Sequence, residues 1–166
     1  SALVNGRHIT IGRSTSQGNS VATIVEATVD GEVVARFEVS DQIKPTAASI
    51  VAELHELGVR PMIVSGDAIG PVHDVAKQVG IDVSETRSGV LPADKLRIVG
   101  ELQASGASVA MVGDGVNDAA ALVAADLGIA MGTGTDAAME AGDLTIVSGD
   151  LAVVPKALAL SRRTLR

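Results

Sequence analysis

The chain has 166 residues and a formal net charge of −7; it is 46% hydrophobic, with a single Phe and no Trp, Tyr or Cys. That length bounds it to one ordinary core with room for an appendage, and a core filled by Val, Ile, Leu, Ala and Met suits parallel strands covered by helices. The acidic balance argues against nucleic acid or an anionic membrane as partner, the lack of aromatics removes base stacking, and the lack of cysteine removes disulfides and thiolate metal sites.

In chain order, residues up to about Phe37 alternate polar and apolar, with turn signals at Asn5-Gly6, Gly18-Asn19 and Asp30-Gly31. This predicts a small β appendage of short antiparallel strands. From Asp41 the period lengthens: Lys44-Pro45-Thr46 opens a helix through Leu57 that Gly58 stops. Arg60 to Val64 reads as a strand running into Ser65-Gly66-Asp67, followed by a helix from about Pro71 to Gln78. A second cycle is a short strand at Asp82-Val83 and a helix from Leu91-Pro92-Ala93-Asp94-Lys95 to about Ala104. A third has a strand from Ser108 to Val112, a loop after Gly113 and a helix from about Asn117 to Ala125. A strand at Leu127 to Ala130, a Gly/Thr turn after Met131, a short helix at Asp136 to Ala141, a strand at Leu144 to Val147 and a helix from Leu151 complete the pattern. Repeated strand-loop-helix order predicts a right-handed, doubly wound parallel sheet whose site lies at the carboxyl ends of its strands.

At that end the topology gathers Ser65-Gly66-Asp67, Asp94-Lys95 and Gly113-Asp114-Gly115-Val116-Asn117-Asp118. Gly113 and Gly115 permit tight turns and close approach, while Asp114 and Asp118 are hard oxygen donors of the kind Mg²⁺ takes. Asn117 adds a neutral donor for a phosphate oxygen, and Lys95 a cation for a transferring phosphoryl group. Each signal has a plainer reading: Gly, Asn and Asp make ordinary turns, Lys usually sits at the surface, and Ser65 could merely cap the next helix. Convergence of the three loops favours a Mg²⁺-dependent phosphoryl-transfer site. His8, His55 and His73 are scattered among unrelated segments and are assigned no metal.

These residues resemble the haloacid dehalogenase-like superfamily and, within it, the phosphorylation domain of heavy-metal P-type cation-transporting ATPases. The resemblance rests on Val112 to Leu122 (VGDGVNDAAAL) and Ala125 to Asp136 (ADLGIAMGTGTD), and spans roughly Asp41 to Arg166. It implies that Asp114 ligates Mg²⁺, that Asp118 supports metal and loop, and that Asn117, Lys95 and Ser65 contact the phosphoryl group. Gly66 and Asp67 would complete the Ser65 motif, with Asp67 facing ATP. Asn5 to Gly12 resembles the tail of the nucleotide-binding domain, with Gly12 near the adenine, and Ser161 to Arg166 the start of a membrane-entering helix. The implied division is 1–38 for the nucleotide-binding tail and 39–166 for the phosphorylation domain. The implied function is that of a soluble, cytoplasm-facing piece of an ATP-driven metal pump of the plasma membrane, working with the pump's nucleotide-binding, actuator and membrane domains.

The sequence departs from the family pattern in several places. No Asp-Lys-Thr-Gly-Thr run, which carries the phosphorylated aspartate, occurs in the 166 residues, so the sheet should lack the central strand that ends in that aspartate. No basic-then-apolar leader and no apolar run long enough to cross a bilayer is found. Ala68 and Ala120 replace a usual Asn and Pro, and the segment from Ser14 to Ser20 is short. Two alternatives are a free-standing phosphatase with Asp30 as nucleophile and a non-catalytic binding module. Asp30-Gly31 between two β-forming runs reads as a hairpin turn.

Overall fold

The computed structural model describes residues 1–14, 23–39 and 42–164. Four strands, β1 (Ala2–Val4), β2 (Arg7–Arg13), β3 (Thr23–Val29) and β4 (Glu32–Val39), form an antiparallel sheet in chain order. Asn5 and Asp30 adopt φ of 50° and 53°, followed by Gly6 and Gly31 at 76° and 89°, the left-handed pairs that let a tight hairpin follow the twist of its strands. The expected turn at Gly18-Asn19 lies outside the described residues. The register places Ile9, Ile11, Val25, Ala27, Ala35 and Phe37 on one apolar face.

The rest alternates helix and strand: α1 (Ala47–Glu56), β5 (Ile63–Val64), α2 (Ile69–Val79), β6 (Thr86–Arg87), α3 (Pro92–Ala104), β7 (Ala110–Gly113), α4 (Ala119–Ala124), β8 (Leu127–Met131), α5 (Asp136–Ala141), β9 (Leu144–Ile146) and α6 (Val153–Thr164). Gly58 takes the left-handed conformation just after α1, and Gly80 does so as the cap of α2, as a helix stop requires. All pairings in this part are parallel, but they make two part-sheets, β5-β6 and β7-β8-β9, rather than one sheet. Among the described residues no strand bonds both β5 and β7. This agrees with the expected lack of a central strand, and Val112 of β7 stays 38% exposed.

Two strand expectations need correction. The strand read over Arg60 to Val64 shortens to Ile63–Val64, because Pro61 has no N–H to pair and the partner strand offers only two residues. At Asp82-Val83 there is no strand: the Asp82 carboxylate accepts bonds from the Ser84 N–H at 2.8 Å and hydroxyl at 2.7 Å, starting a 3₁₀ turn at Val83–Glu85. Such local side-chain bonding competes with extended pairing.

Buried Ala76 and Val79 of α2, with Ile81 just after it, pack against Ile63 of β5 and against Ile43, Ala47 and Val51 at α1. Around β8, Leu122, Ala130 and Ala138 are completely buried. Gly128 makes that close approach possible, since a Cβ there would lie 2.5 Å from the Leu122 carbonyl oxygen. Among the described residues no helix is long and apolar enough to cross a membrane, and the last turn of α6 is tied back by Arg162, which donates to the Leu57 carbonyl.

Candidate active site

Strand β7 ends at buried Gly113, and the chain closes a 3₁₀ turn over Val116–Asp118. A Cβ on Gly113 would sit 2.6 Å from the Asp118 Cβ, so only glycine lets the loop fold back this tightly. Asp118 is 6% exposed. Its Oδ2 accepts the Gly115 N–H at 3.4 Å and its Oδ1 accepts the Lys95 ammonium at 2.6 Å. Lys95 stands in the first turn of α3, which Pro92 opens and where the Asp94 carboxylate accepts the Leu91 N–H at 3.2 Å. Both members of the ion pair are largely withdrawn from water, with side-chain exposures of 16% for Lys95 and 9% for Asp118. A pair so placed is far less screened than a surface pair.

Asp114 and Asn117 differ from Asp118: both are exposed, and neither side chain bonds to any described residue. What holds Asp114 is its backbone, whose carbonyl accepts the Thr135 N–H at 2.9 Å.

The Ser65 loop is connected to the same region. The Ser65 hydroxyl donates to Asp67 Oδ2 at 2.8 Å and accepts the Asp67 N–H at 3.2 Å. Its backbone is sewn to the segment leading into α3: Ser65 N–H to the Arg87 carbonyl (2.9 Å), Val90 N–H to the Ser65 carbonyl (3.0 Å) and Gly89 N–H to the Asp67 carbonyl (2.7 Å). Leu91 and Pro92 follow at once, so the segment that pins Ser65-Gly66-Asp67 also launches the helix carrying Lys95. Lys95 in turn bonds Asp118, which links all three loops read from the sequence.

Gly12 does not join this group. It is the next-to-last residue of β2, opposite Glu26, shares no hydrogen bond with the three loops, and a side chain there would meet nothing within 4 Å. Ala68 caps α2 with no side-chain bond. Asp30 sits in its hairpin turn and accepts the His8 N–H at 2.8 Å, which accounts for it as a turn residue. A shallow depression of about 240 Å³ lies beside α3 between Arg87 and Arg97, but Asp114, Lys95 and Asp118 do not line it.

Among the described residues no three His, Cys, Asp or Glu side chains gather as a metal cluster, and His8, His55 and His73 belong to none. Two carboxylates on one loop still fit Mg²⁺, which binds through one or two protein carboxylates and completes its octahedron with water and phosphate oxygens. Asp114 has the open carboxylate for this, and Asp118 stands on the same turn with one oxygen held by Lys95.

A family model described as haloacid dehalogenase-like hydrolase matches residues 6–126, and a second with the same description matches 96–158. The chain therefore belongs to the haloacid dehalogenase-like hydrolases. Within that class its similarity is to the heavy-metal branch of the P-type ATPases, as the Gly113 and Met131 loops implied. It is 52% identical over 137 residues to "Probable copper-exporting P-type ATPase V" of Mycobacterium tuberculosis, covering 82% of this chain and 18% of that protein. It is 46% identical over 149 residues to Copper-transporting ATPase 1 of Rhizobium meliloti, covering 90% of this chain and again 18% of the relative. Among solved structures, a zinc-transporting PIB-type ATPase in the E2.Pi state superimposes with a TM-score of 0.78 at 33% identity, over 97% of this chain and 28% of that one. The catalytic domain of the CPx-ATPase CopB-B does so with a TM-score of 0.73 at 32% identity, over 93% of this chain and 59% of the other. The chain thus spans about a fifth of the length of the curated relatives it matches.

Proposed function

We propose that this chain forms the phosphorylation region of an ATP-driven heavy-metal pump of the P type, over residues 39–166, joined to the tail of its nucleotide-binding region, residues 1–38. The observation that carries this reading is the Lys95–Asp118 pair, 2.6 Å apart and largely buried, beside an exposed Asp114 whose carboxylate is open. A buried cation adjoining an open carboxylate is what a phosphoryl group and its Mg²⁺ require together.

In this reading Asp114, supported by Asp118, holds Mg²⁺, which when bound neutralises charge on the phosphoryl oxygens. Lys95 places its ammonium against the same group while Asp118 orients it. Ser65, the Gly66 amide and Asn117 donate to the remaining phosphoryl oxygens, and Gly113 and Gly115 let the backbone come close. Asp67 and Gly12 face the ATP that supplies the phosphoryl group. The accepting aspartate belongs to a stretch of the pump outside these 166 residues, and its strand would pair between β5 and β7. The pump's membrane, actuator and remaining nucleotide-binding parts are the partners, with this region on the cytoplasmic side of the plasma membrane and no nucleic acid involved.

The test is Mg²⁺-dependent phosphoenzyme formation from labelled ATP and labelled acetyl phosphate. This chain is compared with one extended upstream to include an Asp-Lys-Thr-Gly-Thr segment. Label is expected only on the extended chain. Label on the present chain that disappears in Asp30→Asn would overturn the reading and establish a free-standing phosphatase.

A further inference from the structure

Asp114 stands between Gly113 and Gly115. Flanking glycines leave a residue with more backbone freedom than any other neighbours would, and its side chain bonds to nothing described. Its direction must therefore come from outside its own loop. An outside element that touches it is the turn between β8 and α5. There the Thr135 N–H donates to the Asp114 carbonyl at 2.9 Å. Gly134 lies flat against the same peptide, since a Cβ on Gly134 would be 2.3 Å from the Asp114 carbonyl oxygen and 2.9 Å from both its carbonyl carbon and its Cα.

The turn is itself fixed on its far side. The Gly134 N–H bonds the Met131 carbonyl at 2.8 Å and the Gly132 N–H bonds the Ile146 carbonyl at 2.9 Å. A Cβ on Gly132 would be 2.7 Å from the Val147 Cα, and one on Gly149 would be 2.9 Å from the Thr133 Cγ2. The Gly149 carbonyl in turn accepts the Lys44 ammonium at 2.9 Å. The turn is thus backed by β9 and the segment after it, and bears directly on the Asp114 peptide.

We infer that Gly134 and Thr135 are positioning residues for the metal loop: the Met131–Thr135 turn braces the Asp114 backbone so that its carboxylate points where Mg²⁺ binds. This rests on the reading of Asp114 as a Mg²⁺ ligand given above. Two features divide the task. The bare Cα of Gly134 sets how near the turn can come, and the Thr135 amide locks the Asp114 peptide plane. Residues that orient a metal ligand in this way typically change affinity by about 10- to 100-fold when altered.

The experiment begins with the unaltered 166-residue chain, measuring amide hydrogen exchange at Thr135 with and without saturating Mg²⁺. Mg²⁺ should slow that exchange, because ordering Asp114 orders its bond to Thr135; an unchanged rate at saturation would overturn the inference without needing a variant. Mg²⁺ is then titrated against the amide resonances of Gly113 to Asp118 in the unaltered chain, Asp114→Ala, Gly134→Ala and Thr135→Pro. Thr135 has φ of −78°, which proline accepts; the change removes the N–H, sets the ring Cδ against the Asp114 carbonyl so that the turn must draw back, and also removes the hydroxyl that caps α5. Both brace variants should weaken Mg²⁺ about tenfold or more, with the amides of Ala76 and Val79 reporting an intact fold. A brace variant that keeps those amides and binds Mg²⁺ as the unaltered chain does would overturn the brace alone. An unaltered chain that responds to Mg²⁺ no more than Asp114→Ala would overturn the metal reading beneath it.

Discussion

Removing the Asp118 carboxylate should cost this chain more stability than any surface charge would. In Asp118→Ala the Lys95 ammonium loses a 2.6 Å partner while its side chain stays 16% exposed, and the Gly115 N–H loses its 3.4 Å acceptor. Breaking a fully buried pair from one side costs about 3–5 kcal/mol. The lysine stem can swing its head toward water, which lowers the expectation to about 3 kcal/mol, or about 6–12 °C in Tm for a chain of this size. Lys95→Met should cost a similar amount, because it leaves a carboxylate that is 9% exposed with only the Gly115 amide beside it. The double variant should lose less than the sum of the two, with a coupling of about 2 kcal/mol, inside the range for contacting residues. With no Trp or Tyr in the chain, urea unfolding is best followed by far-UV circular dichroism. A coupling below about 0.3 kcal/mol, the level at which distant sites simply add, would refute the claim that Lys95 and Asp118 act as one buried unit.

Mg²⁺ should raise the Tm of the chain, by about 2.7 kcal/mol of added stability at a hundred times its Kd. Asp114→Ala should abolish that rise in a thermal scan. Gly113→Ala forces a Cβ to within 2.6 Å of the Asp118 Cβ and should cost about 1–3 kcal/mol in urea unfolding, as overpacking does. The Val109 N–H at 2.8 Å, aided by Gln103, holds the Asp126 carboxyl below its ordinary 3.8. A depressed native pKa gives stability that is fully present above the ordinary value and lost as pH falls through the native one. Asp126→Asn should therefore lower Tm near neutrality and flatten its fall below about pH 4, so that the two proteins converge in acid, as a pH series of melts would report.

Much of the fold follows from local signals, and its departures have local causes. The helix at Asp136 to Ala141 was legible because Thr135 offers a cap and Gly142 a stop, and the structure keeps those bounds. The two hairpins follow from Asn5-Gly6 and Asp30-Gly31, whose positive φ values are those such pairs take readily. The strand at Asp82-Val83 failed because periodicity registers the apolar Val83 but not the carboxylate one residue earlier, which bonds forward to Ser84 and bends the chain into a turn. The doubly wound parallel arrangement holds, but as two part-sheets, as the lack of a central strand implied. Strand-loop-helix order reports that strands run parallel, but whether two of them touch depends on what lies between them, and no described strand lies between β5 and β7.

At the candidate site the sequence discloses chemistry by residue type and hides it where partners are remote. Asp114, Asn117 and Asp118 could be singled out because an acidic loop between an apolar strand and an Ala-rich helix has few other purposes. That Asp118 spends one oxygen on Lys95, 23 residues away, while Asp114 spends neither, appears in no local pattern, yet it separates an orienting carboxylate from an open one. The Gly132-Thr133-Gly134-Thr135 run shows the same limit from the other side. As sequence it reads as a turn and a family signature, since a glycine looks alike whether it faces water or another backbone. Only the 2.3 Å separation between a Cβ placed on Gly134 and the Asp114 carbonyl oxygen distinguishes the two cases. The glycines beside Asp114 free the loop to close on Asp118, and that same freedom requires a second turn to hold Asp114 in place.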